Sequence, residues 1–160
     1  MLCEKVLGKY TEEPFQNLTI DYVEIEWHEA FKKLHKKTTN GGREIGIRLG
    51  NDILTKGLNQ GDVLYADDSI CVVVDIPPCQ VIKAALKDEH HKHMLVKTAY
   101  EIGNRHATAF WGDNYEEILT PYSKAMEDVL SKIHGITLTV ETVKLDFSRS
   151  ISSTINNHTH

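Results

Sequence analysis

The chain of 160 residues is long enough for one large or two small domains, and 41% of its residues are hydrophobic, as in ordinary packed proteins. Its formal charge of −5 disfavours nucleic-acid binding, and no apolar run approaches the roughly 20 residues that span a membrane. The N-terminus lacks a signal-peptide core and the three cysteines form no Cys-x-x-Cys pair, so a cytoplasmic location is the default expectation.

The first half of the chain alternates apolar and polar residues with a period of two. Residues 23 to 27 and 44 to 49 show this pattern, which is typical of strands with one buried and one solvated face. Turn-forming residues near Asp67 divide the run from 63 to 76 into a predicted hairpin. We therefore predict a small β-sandwich or barrel over residues 1–76.

Two helices are predicted after the proline pair that ends this region. The first runs from about Asp88 to Gly103, which can adopt the left-handed conformation that ends many helices. The second follows the N-cap Ser123, carries an apolar stripe at helical spacing, and ends at Gly135.

Four strands are predicted around these helices, over residues 80–86, 108–111, 117–122 and 136–147. The resulting order β-α-β-β-α-β is that of a ferredoxin-like split unit, with both helices on one face of an antiparallel sheet. The predicted fold class is thus α+β, with the ferredoxin-like domain over 77–147. The remaining polar residues, 148–160, are predicted to form a flexible tail that contains histidines.

The first helix ends in Gly103-Asn104-Arg105-His106, which leaves one imidazole at a helix terminus. A single histidine cannot hold a transition metal tightly, because such ions need several ligands at fixed geometry. A two-fold axis would bring a second copy to the same place. Our hypothesis from the sequence is that two chains pair so that both copies of His106 face one metal ion.

This tetrapeptide in its split β-α-β context resembles the UreE family of urease accessory proteins. The residues from Val129 to Gly135 at the next helix end and the segment Gly61-Asp62-Val63-Leu64 extend the resemblance to about residues 1–147. It implies a cytoplasmic homodimeric nickel chaperone that acts with urease apoprotein and an accessory GTPase complex. It further implies an N-terminal peptide-binding-like domain, a C-terminal metal-binding domain, and His106 as the interfacial Ni²⁺ ligand.

The chain departs from some family members in its additional histidines. An extra histidine pair beyond the motif is replaced here by Thr120-Pro121-Tyr122, and the long polyhistidine tail of some relatives is missing. The ending His158-Thr159-His160 resembles the short tail of other members, in which one residue separates two histidines. His158 and His160 are therefore the further candidate ligands, and a large nickel store is not expected.

The remaining histidines have structural explanations. His90, His91 and His93 fall at the start of the first helix, where a solvated first turn is the favoured interpretation and a ligand role stays open. Three others are assigned to structure or to the surface: His28, His35 and His134.

Two alternatives to a nickel carrier remain open from the residues. Imidazole also suits Zn²⁺ and Cu²⁺, which can compete with Ni²⁺, so metal binding could be incidental to an adaptor of the urease maturation complex. A metal-dependent hydrolase is less favoured, because the chain has no His-Glu-x-x-His, Walker or Gly-x-Ser-x-Gly motif. We therefore expect no enzyme activity.

Basic residues gather in the first half, against the acidic balance of the whole chain. Such a run is usually a solvated face, but it is also a candidate docking surface for urease or an acidic accessory protein. Its members are Lys32, Lys33, Lys36, Lys37, Arg43 and Arg48.

Overall fold

The protein is described here by a computed structural model that covers residues 1–151. The chain divides between Pro77 and Pro78 into two compact units. Strands in sheets are combined with a few short helices, which confirms the predicted α+β class. Over residues 1–151, no helix is both long and apolar enough to cross a membrane.

The first unit contains two small β-sheets. Its elements are β1 (Leu2–Cys3), β2 (Gly8–Lys9), β3 (Thr19–Glu24), β4 (Leu34–Thr38), β5 (Glu44–Arg48), the single-turn helix α1 (Ile53–Lys56), β6 (Asp62–Ala66) and β7 (Ile70–Asp75). One sheet has the order β1-β5-β4 and the other β2-β6-β7-β3. Strands β6 and β7 pair antiparallel as the predicted hairpin, while β3 joins β7 in parallel.

The alternating pattern marks the buried face of this unit. Val23 and Ile25 are fully buried, and Ile45 and Ile47 are at most 2% exposed, as the period of two predicts. Strand β3 nevertheless ends at Glu24, and Trp27 lies in the following turn. The alternation thus identified the inward residues but overestimated the length of the strand.

The second unit has the predicted order β-α-β-β-α-β. Its elements are β8 (Cys79–Leu86), α2 (His93–Asn104), β9 (Phe110–Trp111), β10 (Glu117–Pro121), α3 (Lys124–Leu130) and β11 (Ile136–Val143). The antiparallel sheet has the order β11-β8-β10-β9, which is the arrangement of a ferredoxin-like split unit.

Both helices of this unit pack on one face of its sheet. Ile82 and Ile118 project from the sheet into a buried cluster with Ile102 of α2 and Leu130 of α3. Helix α3 begins as predicted, because the Ser123 hydroxyl accepts a hydrogen bond of 3.1 Å from the backbone N–H of Met126.

The residues after β11 cross the opposite face of the sheet, and we call residues 144–151 the C-terminal strap. The strap starts at the β11 edge and reaches the β9 edge, where Ser150 forms a β-bridge with Phe110. Residues 148–151, which their polar composition assigned to the tail, are therefore packed in place. Asp146 stabilises the conformation of this segment, because its carboxylate accepts hydrogen bonds from the Ser148 N–H and hydroxyl at 3.0 and 2.6 Å.

Candidate metal site at the end of helix α2

The backbone of His106 closes the C-terminus of helix α2. The His106 N–H donates to the Gly103 carbonyl at 3.0 Å, and the Ala107 N–H donates to the Ile102 carbonyl at 3.2 Å. These two bonds form a Schellman motif, which satisfies carbonyl groups that the last turn of a helix leaves unpaired. In this motif the residue at the His106 position has to be left-handed.

The left-handed residue is His106, with a φ of 56°, and not the predicted Gly103. Gly103 lies inside the helix, so that prediction was wrong. In the described chain, His106 is the one residue other than glycine with a positive φ. A side chain in this conformation costs about 1 kcal/mol, and such positions concentrate at functional sites.

The backbone around His106 is fixed while its side chain is exposed. Ile102 on one side is fully buried, and Ala107 and Ala109 on the other pack against the same core. The imidazole therefore projects from a rigid helix end. The C-terminal end of a helix carries a partial negative charge of about half an electron, which favours a bound cation.

Arg105, the preceding residue, is held along its own helix. Its guanidinium donates to the Glu101 carbonyl at 3.1 Å and forms an ion pair with the Glu101 carboxylate. The ion pair partly neutralises the positive charge next to His106. The hydrogen bond gives the Glu101 carbonyl, in the last turn of the helix, an additional donor.

Helix α2 also exposes an apolar stripe, which consists of Val96, Tyr100 and Gly103. Val96 is 73% exposed and Tyr100 is 66% exposed, and open space surrounds the position of a Cβ at Gly103. The spacing i, i+4, i+7 places the three on one side of the helix, leading toward the end that carries His106. Large exposed apolar side chains in a row are typical of an interaction surface.

The histidines at and just before the start of α2 do not form part of this helix end. His91 Nδ1 lies 2.7 Å from the Asp88 carboxylate, and this hydrogen bond is the main cause that lowers the Asp88 pKa. The His91 ring covers Gly135, where any Cβ would overlap it. His91 therefore joins two loops, while His90 and His93 are exposed.

The other assigned histidines belong to other segments of the chain. His35 Nε2 lies 3.0 Å from the Lys32 carbonyl, and burial lowers the pKa of this half-buried ring. His28 makes an edge contact with Trp27, and His134 is exposed after α3.

Among residues 1–151, no three His, Cys, Asp or Glu side chains come together in a group able to hold a metal. His158 and His160 lie outside the described residues. Within that range, His106 is thus a single nitrogen donor at a prepared position, and additional ligands would have to come from the tail or from another chain.

Sequence reasoning selected His106 as a candidate ligand but missed its conformation and its surroundings. A nearby glycine was the expected left-handed residue, although histidine is itself enriched in this conformation. The Val96 and Tyr100 spacing was present in the sequence and could have been recognised as a second apolar side of the helix. The C-terminal strap had no comparable local signal.

Comparison with known proteins places both units in one group. Residues 3–76 match the family model for the UreE urease accessory protein N-terminal domain, and residues 78–160 match that for its C-terminal domain. A urease accessory protein UreE from Helicobacter pylori is 34% identical over 91% of this chain and 83% of its own length. One from Acetivibrio thermocellus is 37% identical over 82% of this chain and 81% of its own.

Proposed function

The chain belongs to the UreE family of urease accessory proteins, which implies a role in urease maturation, and we propose that it is a homodimeric carrier of Ni²⁺ for the urease active site. The observation that carries this proposal is the exposed imidazole of His106 on a rigid helix end. We further propose that the protein works in the cytoplasm and has no catalytic activity.

A shared site explains why one histidine is sufficient in each chain. Two-fold pairing at the end of α2 would place two His106 rings against one ion and supply two nitrogen ligands. His158 and His160 would add further imidazoles, and water would complete the coordination. Two partly negative helix ends meeting at the ion would add electrostatic stabilisation.

The apolar stripe on α2 supports this pairing. Val96 and Tyr100 expose their side chains on the helix that ends at the proposed metal position, and burial against a second copy would remove that area from water. An isologous interface needs such a self-complementary surface. The metal and the dimer would therefore share one location.

An open coordination shell suits a carrier better than a closed one. With few protein ligands and exchangeable water, the ion can pass to a stronger acceptor such as the assembling urease site. Nitrogen ligands alone do not select nickel, so Zn²⁺ and Cu²⁺ would compete and metal supply would decide occupancy. Urease apoprotein and the accessory GTPase complex are the proposed partners in that transfer.

The decisive measurement is a calorimetric titration of the full chain with Ni²⁺. We expect about one tight ion per two chains, and His106→Ala should abolish that binding while leaving the fold and the dimer intact. His134→Ala is a matched control, because His134 is also exposed near a helix end. Tight binding that survives His106→Ala would exclude the proposed site.

The same titration distinguishes the nickel carrier from the main alternative function. Because residues 1–151 contain no group of metal ligands, a protein-binding adaptor with incidental metal affinity is the second candidate function. An adaptor should bind Ni²⁺ weakly and without dependence on His106, yet still join the maturation complex.

A further inference from the structure

Strand β4 is an edge strand of the three-stranded sheet in the first unit, so one row of its backbone groups is not used in that sheet. The bonds at its two ends show which row this is. The Leu49 N–H donates to the Lys33 carbonyl at 2.8 Å, and the Thr39 N–H donates to a carbonyl on the β5 side at 2.9 Å. Bonding alternates along an antiparallel pair, so odd-numbered residues bond to β5 and the N–H and C=O groups of even-numbered residues point outward. The outward residues of β4 are Leu34, Lys36 and Thr38.

The end of this outward row is already fixed in an extended form. The next even-numbered residue, Asn40, donates its N–H to the Tyr22 carbonyl of β3 at 2.8 Å. The neighbouring carboxylate of Asp21 accepts hydrogen bonds from the Thr39 hydroxyl at 2.7 Å and from the Gly41 N–H at 2.8 Å. Because the turn after β4 is held in this way, little conformational entropy remains to be lost when a partner pairs with the strand.

The face of the sheet beside this edge carries apolar side chains around one lysine. Leu34 is 65% exposed, Leu2 is 56% exposed, and Lys36 is also exposed. The Leu2 Cδ1 atom lies 3.6 Å from the position of a Cβ at Gly46, which is the register partner of both Leu2 and Lys36. Side chains of an added strand would therefore lie beside Leu34 and Lys36, as cross-strand neighbours do.

The positive charge that the first unit does not neutralise is concentrated at this strand. Lys37, Arg43 and Arg48 each form an ion pair with a carboxylate of the same unit. Glu44, the register partner of Thr38, adds negative charge at the far end of β4. Electrostatic complementarity therefore favours an acidic partner near the start of the strand. Within residues 1–151, the basic residues of this region that form no ion pair with a carboxylate are Lys32, Lys33 and Lys36.

We propose that β4 is a docking edge, which takes up an extended acidic segment of another protein as a fourth strand of the sheet. Backbone hydrogen bonds to the outward row provide affinity, and the lysines select carboxylate side chains. A second copy of this chain does not fit, because pairing β4 with itself would set lysines against each other, and an edge lysine is a common means of preventing such pairing. This inference goes beyond nickel transport and does not depend on His106.

Solvent-exchange NMR of the full chain with a short synthetic peptide of alternating glutamate and valine tests the pairing. When the peptide occupies about nine-tenths of the chains, the N–H groups of Lys36 and Thr38 should exchange about tenfold more slowly, since only the free tenth stays accessible. The N–H groups of His35 and Lys37 should not change, because β5 already protects them. A peptide of alternating lysine and valine is the control and should protect none of them. No protection at millimolar peptide, protection that does not alternate, or equal protection by both peptides would overturn the proposal.

Thr38→Pro tests the backbone contact without changing a charge. Proline is tolerated on an edge strand where the lost N–H points away from the ladder, so the fold should persist. Binding of the acidic peptide should weaken about threefold or more with the loss of one hydrogen bond. Thr38→Val keeps the N–H and a side chain of similar size, so it should bind as the unmodified chain does. Equal affinity of the two variants would contradict strand pairing, and if the proline variant does not fold, the exchange pattern of the unmodified chain decides alone.

His106→Ala distinguishes failure of this inference from failure of the proposed function. That variant should bind the acidic peptide normally while losing tight Ni²⁺ binding. A chain that binds Ni²⁺ through His106 but does not bind the peptide excludes only the docking edge. A chain that pairs with the peptide but binds Ni²⁺ without His106 excludes only the carrier site.

Discussion

His106 combines two demands that usually fall on different residues. Its backbone occupies the left-handed position of a helix cap, where glycine is the most common residue, and its exposed side chain is the proposed ligand. Glycine would relieve the strain but carries no imidazole. If His106 is the proposed ligand, the chain accepts a less stable helix end and gains a nitrogen donor, which is a common compromise between stability and function.

His106→Gly should consequently raise the free energy of unfolding by about 1 kcal/mol while abolishing tight Ni²⁺ binding. His106→Ala removes the same ligand but keeps a Cβ at positive φ, so it should be less stable than the glycine variant. Urea denaturation of the metal-free proteins measures the difference. Equal stability of the two variants would show that the left-handed conformation carries no strain.

At the same scale, the sequence could reveal the ligand candidate but not its geometry. Ser123 was recognisable as an N-cap because its role depends on residues close in the chain. The left-handed His106 depends instead on where the helix stops relative to the buried Ile102, which is a property of packing. Rules based on local sequence favoured Gly103, because glycine adopts the left-handed backbone conformation at the lowest cost in free energy.

Among the elements, α2 has two apolar sides, one buried against the sheet and one exposed. One side, which includes Ile102, packs on the sheet, while the stripe of Val96, Tyr100 and Gly103 faces outward. A helix that exposes large apolar side chains opposite its core side is typical of a protein whose surface is completed by another molecule. A second copy of the same helix is the occupant that the proposed shared site requires.

Val96→Glu combined with Tyr100→Glu should therefore shift the protein to the monomer, because like charges would be buried against each other across a two-fold axis. Ni²⁺ affinity should fall at least about tenfold with the loss of the second imidazole. Analytical ultracentrifugation with and without Ni²⁺ measures both effects. Tyr115→Glu is the matched control, since Tyr115 is 78% exposed on a different element. A dimer that persists in the double variant would place the interface elsewhere.

The order of elements in the second unit was predictable from local patterns, but the topology of the first unit was not. Apolar periodicity and capping residues repeat within each helix and strand, so they survive as signals in a single sequence. The parallel pairings of β1 with β5 and of β3 with β7 join segments far apart in the chain, and no local pattern encodes them. The strap was missed for the same reason, since its partners lie on β9.

For the whole molecule, the two surfaces with a proposed role fall on different units. His106 belongs to the second unit, while the basic residues from Lys32 to Arg48 belong to the first. Part of that positive charge is neutralised internally: Lys37 pairs with Glu29 at 2.6 Å and Arg43 with Asp21 at 2.6 Å. The remaining lysines are those available to an acidic partner.

Lys32→Glu, Lys33→Glu and Lys36→Glu together should weaken assembly with the urease maturation proteins about tenfold and leave Ni²⁺ affinity unchanged. Lys37 is kept, because reversing it would set two carboxylates against each other at Glu29. Binding measured at two salt concentrations checks the electrostatic origin, since screening should reduce the difference. The control reverses Lys87 and Lys132, which are exposed in the second unit. Assembly that is insensitive to the first triple change would exclude this docking surface.

The strap also decides where the polypeptide can be shortened safely. A version cut after Phe147 would lose the β-bridge of Ser150 and the Arg149 contacts, although composition alone suggests a harmless trimming point there. Phe110 would become more exposed, which favours aggregation. A loss of activity caused by aggregation would then be wrongly attributed to the loss of His158 and His160. A boundary after Ile151 removes those histidines while the sheet keeps its full covering.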